Sequence, residues 1–168
     1  MLNEIGKLTG SVFNMELRHD HPIKPDKQYI NFLNIRFSKM KIEHLAICVD
    51  DLETMRTFYL KYFDTTSGDK YTNEKNKYTA YFIYFGKDKT RLELMHKPNI
   101  TPTIGLRGFA KGIAHFTISV GGKEKVNELT EIFRIDGYTI FSEPRTTGDG
   151  YYESVVLDPE GNYLEISA

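Results

Sequence analysis

One stretch of this sequence is written twice, and that repetition limits the possible folds more than any other feature. Ile42-Glu43-His44-Leu45-Ala46-Ile47-Cys48-Val49 parallels Ile113-Ala114-His115-Phe116-Thr117-Ile118-Ser119-Val120, and Arg91-Leu92-Glu93-Leu94-Met95 parallels Tyr163-Leu164-Glu165-Ile166-Ser167. His and Glu stand 49 positions apart in the first copy and 50 in the second. Near-equal spacing of the same residue types is the signature of a duplicated structural unit. Two His and two Glu at equivalent places also make a donor set suited to a divalent metal.

Each copy reads as βαβββ. In the first, Ile42 to Val49 is apolar at almost every position, as in a strand packed on both faces. Asp50 and Asp51 supply helix N-cap chemistry, and Leu52, Met55, Tyr59, Tyr62 and Phe63 follow at helical spacing. A short strand between Phe63 and Tyr71 and longer ones at Thr79 to Phe85 and Arg91 to Met95 complete the unit. In the second copy the strand Ile113 to Val120 precedes a helix with Val126, Leu129, Ile132 and Phe133 on one face, closed at Asp136-Gly137. Strands at Tyr138 to Phe141, Tyr151 to Leu157 and Tyr163 to Ser167 follow, the last two joined by Asp158-Pro159-Glu160-Gly161, whose residues suit a type I turn. The expected fold class is α+β, two tandem βαβββ modules of about 41–97 and 112–168 forming a curled, open mixed sheet with the helices outside.

Strand alternation puts His44, Ala46 and Cys48 on one face and Glu43, Leu45 and Ile47 on the other. The same rule puts Arg91 with Glu93, His115 with Thr117, and Tyr163 with Glu165. A carboxylate on a concave sheet face is costly to bury unpaired, and a bound cation removes that cost. Zn, Ni, Co, Mn or Fe suits two imidazoles and two carboxylates, one ion per site.

Residues 1–39 lie outside the repeat, and the polar, proline-bearing Arg18 to Asp26 reads as a loop in which His19 and His21 are solvated rather than metal ligands. Three roles fit this extension: packing on the repeat domain of 40–168, mediating assembly, or arising from an upstream start codon with Met40 the native start. A formal charge of −1 from 22 basic and 23 acidic residues gives no electrostatic pull toward nucleic acid. No apolar run nears the roughly 20 residues needed to span a bilayer. The single cysteine rules out an internal disulfide, and a cytoplasmic protein is expected.

The paired His and Glu, and the Asp158-Pro159-Glu160-Gly161 turn ahead of Tyr163-Leu164-Glu165, make residues 41–168 resemble the vicinal oxygen chelate superfamily, which includes glyoxalase I. The resemblance implies His44, Glu93, His115 and Glu165 as ligands of one ion. It implies a substrate that chelates the ion through two neighbouring oxygens, with the ion a Lewis acid toward an enediolate. It further implies Glu165 as the base, Glu93 as its partner, and both histidines as ligands only. At the family's positions for the thiol part of the substrate this chain has Cys48, Lys97 and Lys111, and Arg91 and Arg145 are further candidates to receive an anion. Cys48 reads as a small packing residue rather than a nucleophile.

The activity so implied is that of a lyase or isomerase acting on a thiol adduct of a 2-oxoaldehyde, with a thiol such as glutathione as cosubstrate and a homodimer as the assembly. Fosfomycin thiol transfer, extradiol ring cleavage and acyl-CoA epimerisation are the enzymatic alternatives in the family. A metal-free protein that sequesters a drug such as bleomycin is the non-enzymatic one, and retention of all four donors weighs against it.

Overall fold

The computed structural model describes residues 41–87, 90–101, 105 and 107–168; the extension, with His19 and His21, lies outside them. Residues 42–168 form one compact unit. In chain order its elements are β1 (His44–Cys48), α1 (Leu52–Tyr62), β2 (Thr65–Ser67), β3 (Tyr71–Asn73), β4 (Tyr78–Phe85), β5 (Arg91–His96), a 3₁₀ turn (Arg107–Phe109), β6 (Phe116–Ser119), α2 (Lys123–Ile135), β7 (Ile140–Thr146), β8 (Tyr152–Leu157) and β9 (Tyr163–Ser167). Both expected βαβββ orders are present, in two mixed sheets that are not closed.

The first sheet runs β1-β5-β4-β2, with β3 also on β4, and the second runs β6-β9-β8-β7. In each, the first strand of the module pairs in parallel with the last, and the remaining pairs are antiparallel. A parallel neighbour needs a crossover, which the helix and intervening strands provide. The first strand of each module therefore occupies an edge of its sheet, carrying His44 in one case and following His115 in the other.

The strand expected over Ile42 to Val49 is packed on one face only. It spans His44–Cys48 with alternating exposure, and Ile42 is exposed. Among the described residues it is an edge strand beside one neighbour, with no second layer to bury its outer face. The helices follow their sequence signals closely. Asp51 caps α1, its Oδ1 accepting from the amides of Glu53 and Thr54 at 3.0 Å each. After α2 the Tyr138 amide donates to the Phe133 carbonyl and the Gly137 amide to Arg134, with Gly137 at φ 84°, a Schellman ending that a residue with a Cβ enters at a cost.

The core is the apolar layer between helices and sheets. Val49, Met55, Tyr59, Ile83, Leu94, Val126, Phe133, Leu164 and Ile166 are fully buried in it. Phe58 of α1 stacks on Phe133 of α2 with ring centroids 5.6 Å apart, so the two modules share one aromatic cluster. No helix among the described residues is long and apolar enough to cross a membrane.

Candidate metal centre

Both His and Glu candidates meet in pairs, built the same way in each module. His44 stands two residues before Ala46, the register partner of Glu93; His115 stands two before Thr117, the register partner of Glu165. A two-residue step in parallel strands keeps His and Glu on one face as diagonal neighbours. The Nε2 of His44 lies 3.5 Å from Glu93 Oε2, and the Nε2 of His115 lies 3.6 Å from Glu165 Oε2. These separations exceed the 2.7–3.2 Å or so of a nitrogen-to-oxygen hydrogen bond. They are close to the roughly 3.4 Å between two donors that each stand about 2.1 Å from one tetrahedral ion.

The carboxylates are rooted and the imidazoles reach outward: Glu93 and Glu165 side chains are 11% and 15% exposed, His44 and His115 39% and 49%. The two pairs remain separate. Among the described residues no three His, Cys, Asp or Glu side chains stand close enough together to hold one ion. Within one chain the arrangement is thus two half-shells, each with one nitrogen and one oxygen donor, a chemistry that fits a borderline divalent metal once the halves meet.

The half-shells are braced differently. In the first, His44 Nδ1 lies 2.5 Å from Glu43 Oε2, and the Arg91 guanidinium bonds the same carboxylate. Glu43 does not point to the opposite face, as alternation predicted. β1 begins only at His44, so the pleat does not bind the residue before it, and the Glu43 side chain folds back toward the imidazole. The hydrogen bond from Arg91, then that to His44, lowers the Glu43 carboxyl to about 2. Arg91 also lies over Phe82, 4.1 Å from the ring centroid, so its charge is engaged inside the protein.

In the second half-shell Thr117 Oγ1 donates to Glu165 Oε1 at 2.7 Å, leaving Oε2 toward His115. The equivalent of Thr117 is Ala46, which cannot donate. Glu153 on β8 is buried near Glu165, and burial first, then the Glu165 charge, raises its pKa. Arg145 Nη2 lies 3.6 Å from Glu153 Oε1. Sequence reasoning missed Glu43 and Glu153 as neighbours of the donors, though Thr117 was visible as a face-mate of His115.

Lys111, Lys97 and Cys48 line cavities. Lys111 borders one of about 280 Å³ with Arg107, His115, Tyr163 and Cys48. Lys97 borders another of about 520 Å³ with Lys75, Lys77 and, again, Cys48. Cys48 is exposed and lines both, which corrects its reading as a packing residue; it stands at the end of an edge strand where none of the described residues covers it.

Residues 41–166 match the sequence model of the Glyoxalase/Bleomycin resistance protein/Dioxygenase superfamily. Similar solved structures include the trypanothione-dependent glyoxalase I of Leishmania major, at 25% identity and TM-score 0.58, covering 77% of this chain and 86% of that one. A glyoxalase fold from Bacillus halodurans, assigned as a putative glyoxalase, is 25% identical with TM-score 0.60, covering 80% and 99%. Glyoxalase I of Zea mays shares the fold at 23% identity and TM-score 0.59, and this chain spans 44% of that enzyme's length. No curated protein sequence matches this chain.

Proposed function

The chain belongs to the Glyoxalase/Bleomycin resistance protein/Dioxygenase superfamily, and from that membership we propose that it is a metal-dependent lyase or isomerase of the glyoxalase I kind, acting on a thiol adduct of a 2-oxoaldehyde. The observation that carries this reading is the pair of equivalent His–Glu contacts, at 3.5 and 3.6 Å, too long for hydrogen bonds and suited to donors of one ion. His44, Glu93, His115 and Glu165 would hold the ion. A divalent cation, when bound there, supplies Lewis acidity to two neighbouring substrate oxygens.

In this reading the shell closes between two copies of the chain, one giving His44 and Glu93, the other His115 and Glu165. The separation of the pairs among the described residues of one chain supports it, as do the sheet edges at β1 and β6, which no described strand covers. Glu165 takes the proton from the carbon next to the carbonyl, and the proton returns to the adjacent carbon, so the net reaction is an isomerisation with no oxidant or reductant. Thr117 holds one oxygen of Glu165, so the carboxylate presents its other oxygen on the side of His115, where ion and substrate would sit. Glu93 is its partner in the shell, and the histidines are ligands only. Lys97, Lys111 and Arg145 receive the anionic groups of the thiol part, glutathione or a related thiol. Arg91, tied to Glu43, is the least available of the proposed substrate cations.

The test is the metal content of purified full-length protein, then turnover of the hemithioacetal of methylglyoxal and glutathione with Ni or Zn added. Bound metal with metal-dependent turnover supports the proposal. Metal without turnover on this or other thiol adducts redirects it to another chemistry of the family, and no metal uptake removes it.

A further inference from the structure

We propose that Glu43 is a positioning residue that fixes the tautomer and orientation of His44; this rests on His44 being a metal ligand. Six contacts carry it. Glu43 Oε2 is 2.5 Å from His44 Nδ1, so the neutral imidazole keeps its proton on Nδ1 and donates it to the carboxylate. That leaves Nε2 unprotonated, and Nε2 is the atom that faces Glu93 at 3.5 Å. Arg91 then holds Glu43 from two sides, its guanidinium bonding the carboxylate and its amide donating to the Glu43 carbonyl at 3.0 Å. Phe82 packs edge-on against the imidazole, centroids 5.6 Å apart, and carries the Arg91 guanidinium on its face.

A carboxylate on the far nitrogen of a metal-binding histidine sets the tautomer, fixes the ring and raises its basicity. The device belongs to the first module alone. Ala114 stands where Glu43 stands and Tyr163 where Arg91 stands, so the repeat that doubled the donors did not double this brace. His44 enters the shell already oriented, while His115 has no carboxylate neighbour in sequence to set its tautomer. Glu43 and His44 are exposed and adjacent in sequence, so adjacency alone does not separate their contact from solvated surface; the ring contact with Phe82 and the double hold by Arg91 do.

The test reads ring-nitrogen shifts of the full-length, metal-free protein labelled with ¹⁵N-histidine, His44 being assigned by its loss in His44→Ala. Read at a pH where the ring carries one proton, the expected result is that proton on Nδ1, with that bias gone in Glu43→Ala. Zn affinity, measured by competition with a chelator, is expected to fall about 10- to 100-fold in Glu43→Ala. A wild-type His44 protonated on Nε2 overturns the proposal, and this arm needs no variant to fold. Glu43→Ala with wild-type Zn affinity beside a His44→Ala that has lost it overturns the proposal and leaves the metal reading standing. His44→Ala with undiminished Zn affinity removes the metal reading itself.

Discussion

Glu165 and Glu93 occupy equivalent strand positions, yet among the described residues only Glu165 receives a hydroxyl donor, from Thr117. This difference supports Glu165 as the group that moves the proton. Glu165→Gln should lower kcat on the hemithioacetal about 10²- to 10⁴-fold, the usual contribution of a positioned base; steady-state rates at saturating metal check it. Glu43 makes a separate prediction about acid. Its folded carboxyl lies at about 2 against an ordinary value of 4.5, because Arg91 and then His44 hydrogen-bond the charged form. A depressed carboxyl contributes stability that is present above 4.5 and lost as pH falls through 2. The Tm difference between wild type and Glu43→Gln should therefore shrink between pH 4.5 and 2. A constant difference across that window would show that the Arg91 contact carries no ionic stabilisation.

At the scale of elements, the Asp158 to Gly161 turn works as a clasp between modules. The Gly161 amide closes the turn onto the Asp158 carbonyl at 3.0 Å, and Asp158 Oδ2 accepts from Tyr59 of α1 at 3.1 Å. Glu160 Oε1 accepts from the amides of Asp50 and Asp51 at 2.7 and 2.8 Å, ahead of α1. Burial raises the Asp158 pKa, so the buried carboxyl depends on its donors. Tyr59→Phe should cost about 1–3 kcal/mol by leaving Asp158 short of one, and Phe133→Ala about 3–5 kcal/mol by emptying the cluster shared by α1 and α2. Urea unfolding measures both.

The turn, both helices and β9 were legible in the sequence because each carries local chemistry: Pro and Gly at fixed turn positions, an Asp cap, a Gly past a helix end, strict alternation. Less local features were not. β7, expected at Tyr138 to Phe141, runs Ile140–Thr146 across Pro144, and its register shifts show why: an edge strand with bulges tolerates a proline. β3 has only three residues and one partner, β4, too little for a pattern. The pairing of His with Glu followed from period two; the return of Glu43 toward His44 did not, because the strand starts two residues later than its apolar run.

At the scale of the whole molecule, the duplication gives each chain two half-shells rather than one site. In the proposed function a second copy completes a metal centre made of both halves, and that arrangement has a stoichiometric consequence. In a mixed dimer of His44→Ala and His115→Ala chains, one site carries both defects and the other carries none. The most direct measurement is Zn retained after gel filtration by His44→Ala, by His115→Ala, and by an equimolar mixture after subunit exchange confirmed by mass spectrometry. The proposed assembly predicts little metal in either variant and, since half the dimers are mixed and each restores one of two sites, about a quarter of the wild-type metal in the mixture. A mixture that retains no more metal than the separate variants would contradict a site shared between chains.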